Sequence, residues 1–319
     1  MDEVDAYASY RPLLFSIAYR MVGSVSEAED IVQETFLRAH RAGSLQRAGT
    51  GAERVDSPKA YLTAITTRLA IDHLRSARVR RETYVGSWLP EPLVTGADDR
   101  TADPAAHAET ADSLSLAFLV LLERLSPVER AVFLLREVFG YGYDEIATVV
   151  GKREDNARQI AARARRHVEE GRPRFEASRR QREELAQRFL AAVEQGDTDG
   201  LVGMLAADVV MYGDGGGKAP ALDQPVHGAV RVARFLLGLA RLAERADLHL
   251  RPAEVNGQPG AIAFDPEGNL ISVLSLDIAD GLVQTVRSIV NPDKLRHLGP
   301  VTDWSWLGGA GPGGDADAP

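Results

Sequence analysis

Apolar side chains return every three or four positions through most of the first 80 residues. Leu13, Leu14, Ile17, Ala18 and Met21 form one such row, the spacing of a helix with one buried face. "SEAE" at 26–29 has the form of a capping box and predicts that the next helix starts there; its inner stripe is Ile31, Val32, Thr35, Phe36 and Ala39. "RAGSLQRAGTGAERVD" is a loop by composition. Ser57 and Pro58 then supply an N-cap and a favoured first position for the helix "KAYLTAITTRLAIDHLRSARVRR". From Thr83 to about Thr110 the period is lost, and "YVGSWLPEPLVTGADDRTADP" predicts a tether. Helices resume near Asp112, and "SPVE" at 126–129 is a second capping box with proline well placed.

The last third changes texture. A helical pattern from near Phe175 to Gln195 and a short one at "DTDGLVGMLA" precede "DVVMY", which has strand character. The loop "GDGGGKAPALDQP" and the helical "AVRVARFLLGLARLAE" follow. Strand-like pieces "LHLRPAEV", "GAIAF", "LISVLSLDIA" and "LVQTVRSIV" are separated by the turn signals "NGQPG", "DPEGN" and "DG". Helices first and an antiparallel sheet afterwards predict an α+β layer with helices on one curved face. The expected fold is therefore multidomain: two all-α units at 1–82 and 112–172, joined by a linker at 83–111, then an α+β domain at 175–298. A flexible tail is expected at 299–319.

Charge distribution sharpens the picture. The chain carries a formal charge of −9, yet "YDEIATVVGKREDNARQIAARARRHV" at 143–168 gathers arginines. On a helical wheel Ala157, Ile160, Ala161, Ala164 and Val168 fall in one sector, while Arg158, Gln159, Arg163, Arg165 and Arg166 face away. A shorter helical pattern over 144–150 precedes it, and Gly151 breaks the run, as in a helix-turn-helix. Such a helix fits a DNA major groove, its arginines meeting phosphates and guanine edges. An isolated basic helix is more often a solvated face; the two-helix spacing with its glycine favours DNA. The acidic remainder argues against indiscriminate polyanion binding, so contact is local and salt-dependent.

Other chemistry is scarce. There is no cysteine, which excludes disulfides, thiolate catalysis and cysteine-based zinc sites. The seven histidines show neither HxxxH nor HxH spacing, so no metal or other cofactor is expected. "MDEVDAY" lacks the apolar core of a signal peptide and "LAFLVLL" is too short for a bilayer, so a cytoplasmic protein without membrane contact is expected.

Three stretches, "SEAEDIVQETFLRAHR", "SPKAYLTAITTRLAIDHLR" and "LSPVERAVFLLREVFGYGYDEIATVVGKREDNARQIAARARR", resemble, in order and spacing, regions two and four of extracytoplasmic-function sigma factors. The resemblance covers about residues 8–170 and implies promoter-specific initiation with core RNA polymerase and promoter DNA as partners. It makes Asp30, Gln33, Glu34 and Leu37 the polymerase-binding stripe and the arginine ridge with Gln159 the reader of the −35 element. It assigns the −10 element to the third helix, where cations (Arg68, Arg75, Arg78) can follow a melted strand with Tyr61 or His73 near bases. Many relatives carry asparagine where this chain has Arg68, so base choice there does not carry over.

The third unit resembles the SnoaL-like branch of the NTF2-like cone fold, and the combination looks like a sigma subgroup regulated by its C-terminal extension. Three motifs carry that likeness: "WLPEP" (Trp88, Leu89, Pro90), "DGGGK" (Asp214, Gly215, Gly216, Gly217, Lys218) and "NPDKL" (Asn291, Pro292, Asp293, Lys294, Leu295). They are expected to form a communicating interface. By itself "DGGGK" is a turn without phosphate-loop spacing, "WLPEP" a stiff extended segment, and "NPDKL" the end of the last strand. Asp208, Tyr212, Asp214 and His227 are candidates for a pocket wall, but no acid–base pair or nucleophile can be read. A non-enzymatic domain is favoured, with room for a small-molecule ligand. Two alternatives stay open: a ligand-responsive DNA-binding regulator that is not a sigma subunit, and a regulator fused to an active cyclase or isomerase.

Overall fold

The leading helices are α1 (Glu3–Val22), α2 (Val25–Arg41) and α3 (Pro58–Arg81), in a computed structural model that describes residues 3–42, 57–81, 83–95, 113–170 and 178–304. Most of the loop expected after α2, the second half of the linker and most of the tail lie outside the described residues. Leu14, Ile17, Ala18 and Met21 are buried, as are Ile31, Val32, Thr35 and Ala39. The expected start of α2 needs correction. Its N-cap is Ser24, whose hydroxyl accepts from the amide of Glu27 at 3.2 Å. Glu91 of the linker lies over this end, accepting from Ser24 Oγ and Val25 N, each at 2.7 Å. A carboxylate at a helix N-terminus satisfies orphan amides, and here it comes from a distant part of the chain.

The second helical unit holds α4 (Leu116–Leu122), α5 (Pro127–Phe133), α6 (Tyr143–Val150) and α7 (Glu154–Glu169). The capping box of Ser126 and Glu129 opens α5 as read from sequence. Gly151 ends α6 with φ of +65°, a left-handed conformation cheap only for glycine, and the chain turns into α7.

The α+β domain contains α8 (Arg179–Gln195), α9 (Thr198–Met204), β2 (Leu205–Asp214), β3 (Val226–His227) and α10 (Ala229–Arg245). Strands β4 (His249–Val255), β5 (Gln258–Phe264), β6 (Leu270–Ala279) and β7 (Leu282–Ile289) follow, then the helical turn α11 (Pro292–Leu295). The linker adds β1 (Val94–Thr95), paired antiparallel with β4, so the sheet runs β1-β4-β5-β6-β7-β2-β3. The sheet is not wholly antiparallel as expected: β2 and β7 pair in parallel, Asp214 opposite Ile289. With α10 and the hairpin strands between them, the chain makes the crossover that parallel pairing requires. "DGGGK" and "NPDKL" therefore leave the sheet side by side.

The sheet is covered on both faces. Val209, Met211, Leu276, Ile278 and Val286 pack with α8, α9 and α10. Val255, Val273 and Ile289 instead join one continuous core with α1 to α5. Asn256, fully buried with φ of +52°, pins this junction. It accepts from the amide of Leu93 at 2.8 Å and donates to Tyr19 Oη at 2.8 Å and to the carbonyl of Leu114 at 2.9 Å. Replacing it takes a partner from the buried Tyr19 hydroxyl, at about 1–3 kcal/mol, and from two part-buried backbone groups, at less. Asn256→Ala should lower stability in urea denaturation by about 2–4 kcal/mol; a change below about 0.5 kcal/mol would contradict this role.

Candidate functional site

On α7 the apolar stripe of Ala157, Ile160, Ala161, Ala164 and Val168 is buried. Arg158, Gln159, Arg163, Arg165 and Arg166 are all exposed, so the structure brings the predicted ridge together on one open face. Its arginines hold exchangeable partners: Arg158 pairs with Glu154, Arg163 with Glu129 at 2.7 Å and Arg165 with Glu137 at 2.6 Å. These cations keep half or more of their side-chain surface in water, where such pairs contribute about 0–1 kcal/mol.

The residues expected on α3 are in a different situation. Arg68 turns towards the second helical unit, Nε donating to the carbonyl of Val149 at 2.9 Å and Nη2 to that of Thr148 at 2.8 Å. Those carbonyls end α6 and lack intrahelical partners. His73 contacts Glu27 at 2.7 Å, linking α3 to α2. Arg75 is exposed beside Asp72, Tyr61 is half-buried, and the side chain of Arg78 lies outside the described residues. A reciprocal contact, missed in the sequence, comes from Arg130 on α5. Its buried guanidinium donates to the carbonyl of Met21 at the end of α1 at 2.5 Å and to Glu123 at 2.7 Å. Each helical unit thus lends an arginine to a helix end of the other. On α2, Asp30, Gln33 and Leu37 are exposed, Leu37 at 49%, and Glu34 is bonded to Arg38.

The three short motifs meet at one buried point. Asp214, with no exposed surface, accepts from the amide of Leu89 and from Lys294 Nζ, each at 2.7 Å, and from the phenol of Tyr84. Lys294 also donates to the carbonyl of Leu89 and lies 4.4 Å from the ring centre of Trp88 and 4.9 Å from that of Tyr84. The parallel register places the amides of Val290 and Asn291 on the carbonyl of Asp214, each at 2.9 Å. Asn291 donates to Tyr84 Oη at 2.8 Å. Burial, then the Asp214 carboxylate, raise the Tyr84 phenol well above its ordinary pKa, so Tyr84 remains a proton donor.

The glycines of "DGGGK" are dictated by this closeness. Gly216 has φ of +58°, and a Cβ on it would lie 2.2 Å from Asn291 Nδ2. A Cβ on Gly215 would lie 2.3 Å from the carbonyl oxygen of Ala219, and Gly217 is again left-handed. Lys218 pairs with Asp293 at the surface, Pro90 packs beside Gly23, and Leu295 enters the shared core. "NPDKL" is a helical turn, not a strand end: Asn291 is its N-cap and Pro292 its first residue, a signal the sequence did offer. Tyr84 carried no such local signal, and Asn256 was readable only as the start of the turn "NGQPG". Of the residues considered for a pocket wall, Asp208 and His227 are exposed, Asp214 belongs to the buried point, and Tyr212 lines a cavity.

Comparisons with known proteins agree with this arrangement. Sigma-70 region 2 matches residues 6–80 and Sigma-70, region 4 matches residues 115–168. The ECF RNA polymerase sigma factor SigJ of Mycobacterium tuberculosis is 38% identical over 92% of this chain and 93% of its own length. The probable ECF RNA polymerase sigma factor SigI of the same species is 34% identical over 92% and 94%. A crystal structure of Mycobacterium tuberculosis SigJ aligns with a TM-score of 0.71 at 35% identity, covering 94% of this chain and 100% of that one. With both regions present in order and similarity running almost end to end, the chain belongs to the ECF RNA polymerase sigma factor family.

Proposed function

We propose that this sigma factor directs core RNA polymerase to its promoters, and that its own α+β domain holds the two helical units together until polymerase and DNA separate them. The observation that carries the reading is the buried Asp214–Lys294 pair, which grips the linker joining those units. In this reading the α7 ridge reads the −35 element, and α3, through Tyr61, Arg68, His73, Arg75 and Arg78, meets the −10 element. Asp30, Gln33, Glu34 and Leu37 dock on polymerase. Arg68 cannot serve DNA while it caps α6, so the closed arrangement and promoter engagement compete, and each weakens the other by the same coupling free energy. The α+β domain acts as a regulator, in keeping with the buried Asp214–Lys294 pair by which it holds the linker. The site of action is the cytoplasm, with the polymerase.

The polymerase stripe separates this reading from a DNA-binding regulator that is no sigma subunit. Leu37→Asp on the full chain should weaken core polymerase binding more than tenfold and abolish run-off transcription, while −35 duplex binding is unchanged; polymerase-dependent transcription that survives it would overturn the assignment. On α7, Arg165→Ala should cost about 1–3 kcal/mol of −35 affinity and relax sequence preference if Arg165 reads guanine, whereas a uniform loss marks a phosphate contact. Glu137→Gln should do the opposite. Removing the carboxylate that occupies Arg165 frees the cation, and duplex affinity should rise about two- to fivefold in a fluorescence anisotropy titration, given the worth of an exposed pair.

A further inference from the structure

A cavity of about 400 Å³ lies on the sheet face opposite α8, α9 and α10. Its floor carries Tyr212 of β2, Asp277 of β6 and Arg287 of β7; its other wall is built from Trp88 and Leu89 of the linker and Val120 and Leu121 of α4. Three separate parts of the molecule therefore border one half-open space, of a size that suits a small organic molecule.

The polar lining is unfinished. Asp277 and Arg287 form an ion pair and are only 4% and 7% exposed. Yet Asp277 Oδ1, Arg287 Nε and the nearby Ser275 Oγ have no hydrogen-bond partner among the described residues. Buried polar atoms nearly always find partners, and an orphan acceptor next to an orphan donor is what a hydroxyl group completes, since it both donates and accepts. The charges do not cancel either. Asp277 neutralises Arg287, which leaves the exposed Arg124 beyond α4 as a second cation lining the cavity. That excess suits one carboxylate; Ser87, Gln284 and Thr285 add neutral polar groups, and the apolar part of the wall, with Trp88, Leu89, Val120 and Leu121, suits an aromatic or branched apolar body.

We infer that this cavity binds a small monocarboxylic acid with an apolar, hydroxylated body, the hydroxyl at the Asp277–Arg287 pair and the carboxylate at Arg124. Occupancy ties linker, α4 and sheet to one another and so stabilises the closed arrangement, a consequence that rests on the reading above, whereas binding itself does not.

The test uses the full chain without polymerase or DNA, so its failure would leave the sigma assignment untouched. The probe is 6-hydroxy-2-naphthoic acid, compared by calorimetry and saturation-transfer NMR with 2-naphthoic acid and 2-naphthol. The hydroxy acid should bind, and loss of either polar group should weaken binding about tenfold, the worth of a charge-assisted hydrogen bond. Arg124→Ala, at an exposed position, should erase the advantage of the carboxylate alone. Val120→Phe should fill the cavity and abolish binding with the ion pair intact. No binding by the wild-type chain, equal binding of the three probes, or binding that survives Val120→Phe would overturn the inference.

Discussion

A carboxylate with no exposed surface has to be matched by its surroundings, and Asp214 is matched by groups from two other parts of the chain. Leu89 brings a backbone amide and Lys294 an ammonium. Removing one partner from a buried pair leaves the other charge stranded, at about 3–5 kcal/mol, although the intact pair adds little net stability. Such a device specifies an arrangement more than it strengthens one. Here it selects the state in which the linker lies against the α+β domain.

The rest follows from that choice. Once Leu89 is held, Glu91 is delivered to the start of α2 and Leu93 to Asn256. With the linker fixed at that point, α1 to α5 can share a core with the outer face of the sheet. The helical units share apolar core as well, and their polar contacts are of two kinds: buried Arg130 holds the end of α1, whereas exposed Arg68 caps an end of α6 that water or other donors can satisfy instead. Apolar burial and one expensive ion pair hold the linker, while the bonds of exposed Arg68 to the end of α6 are the replaceable contact between the units. In the proposed function, that division lets promoter DNA compete for Arg68 while the linker stays in place.

What the sequence disclosed was local. The α7 stripe, the left-handed Gly151 and the capping box at Ser126 depend on residues a few positions apart, and the structure has each of them. What it withheld was long-range. Ser24 begins α2 because Glu91 reaches it, β2 runs parallel to β7 because of the crossover through α10, and Arg68 faces α6 because the two units pack together. No periodicity encodes any of these. The three motifs were visible as strings, and their spacing in the chain gave no hint that a single carboxylate gathers them. "NPDKL" is the exception, since the asparagine–proline step was a readable helix start.

The central claim, that Lys294 and Asp214 keep the helical units together through the linker, can be measured by energy transfer between dyes on α2 and α7. The chain has no cysteine, so Arg41→Cys and Glu169→Cys, both at exposed positions, give clean labelling. Lys294→Met, which keeps the volume and removes the charge, should lower transfer in the free protein while circular dichroism shows the helices retained. Unchanged transfer in that variant would contradict the account.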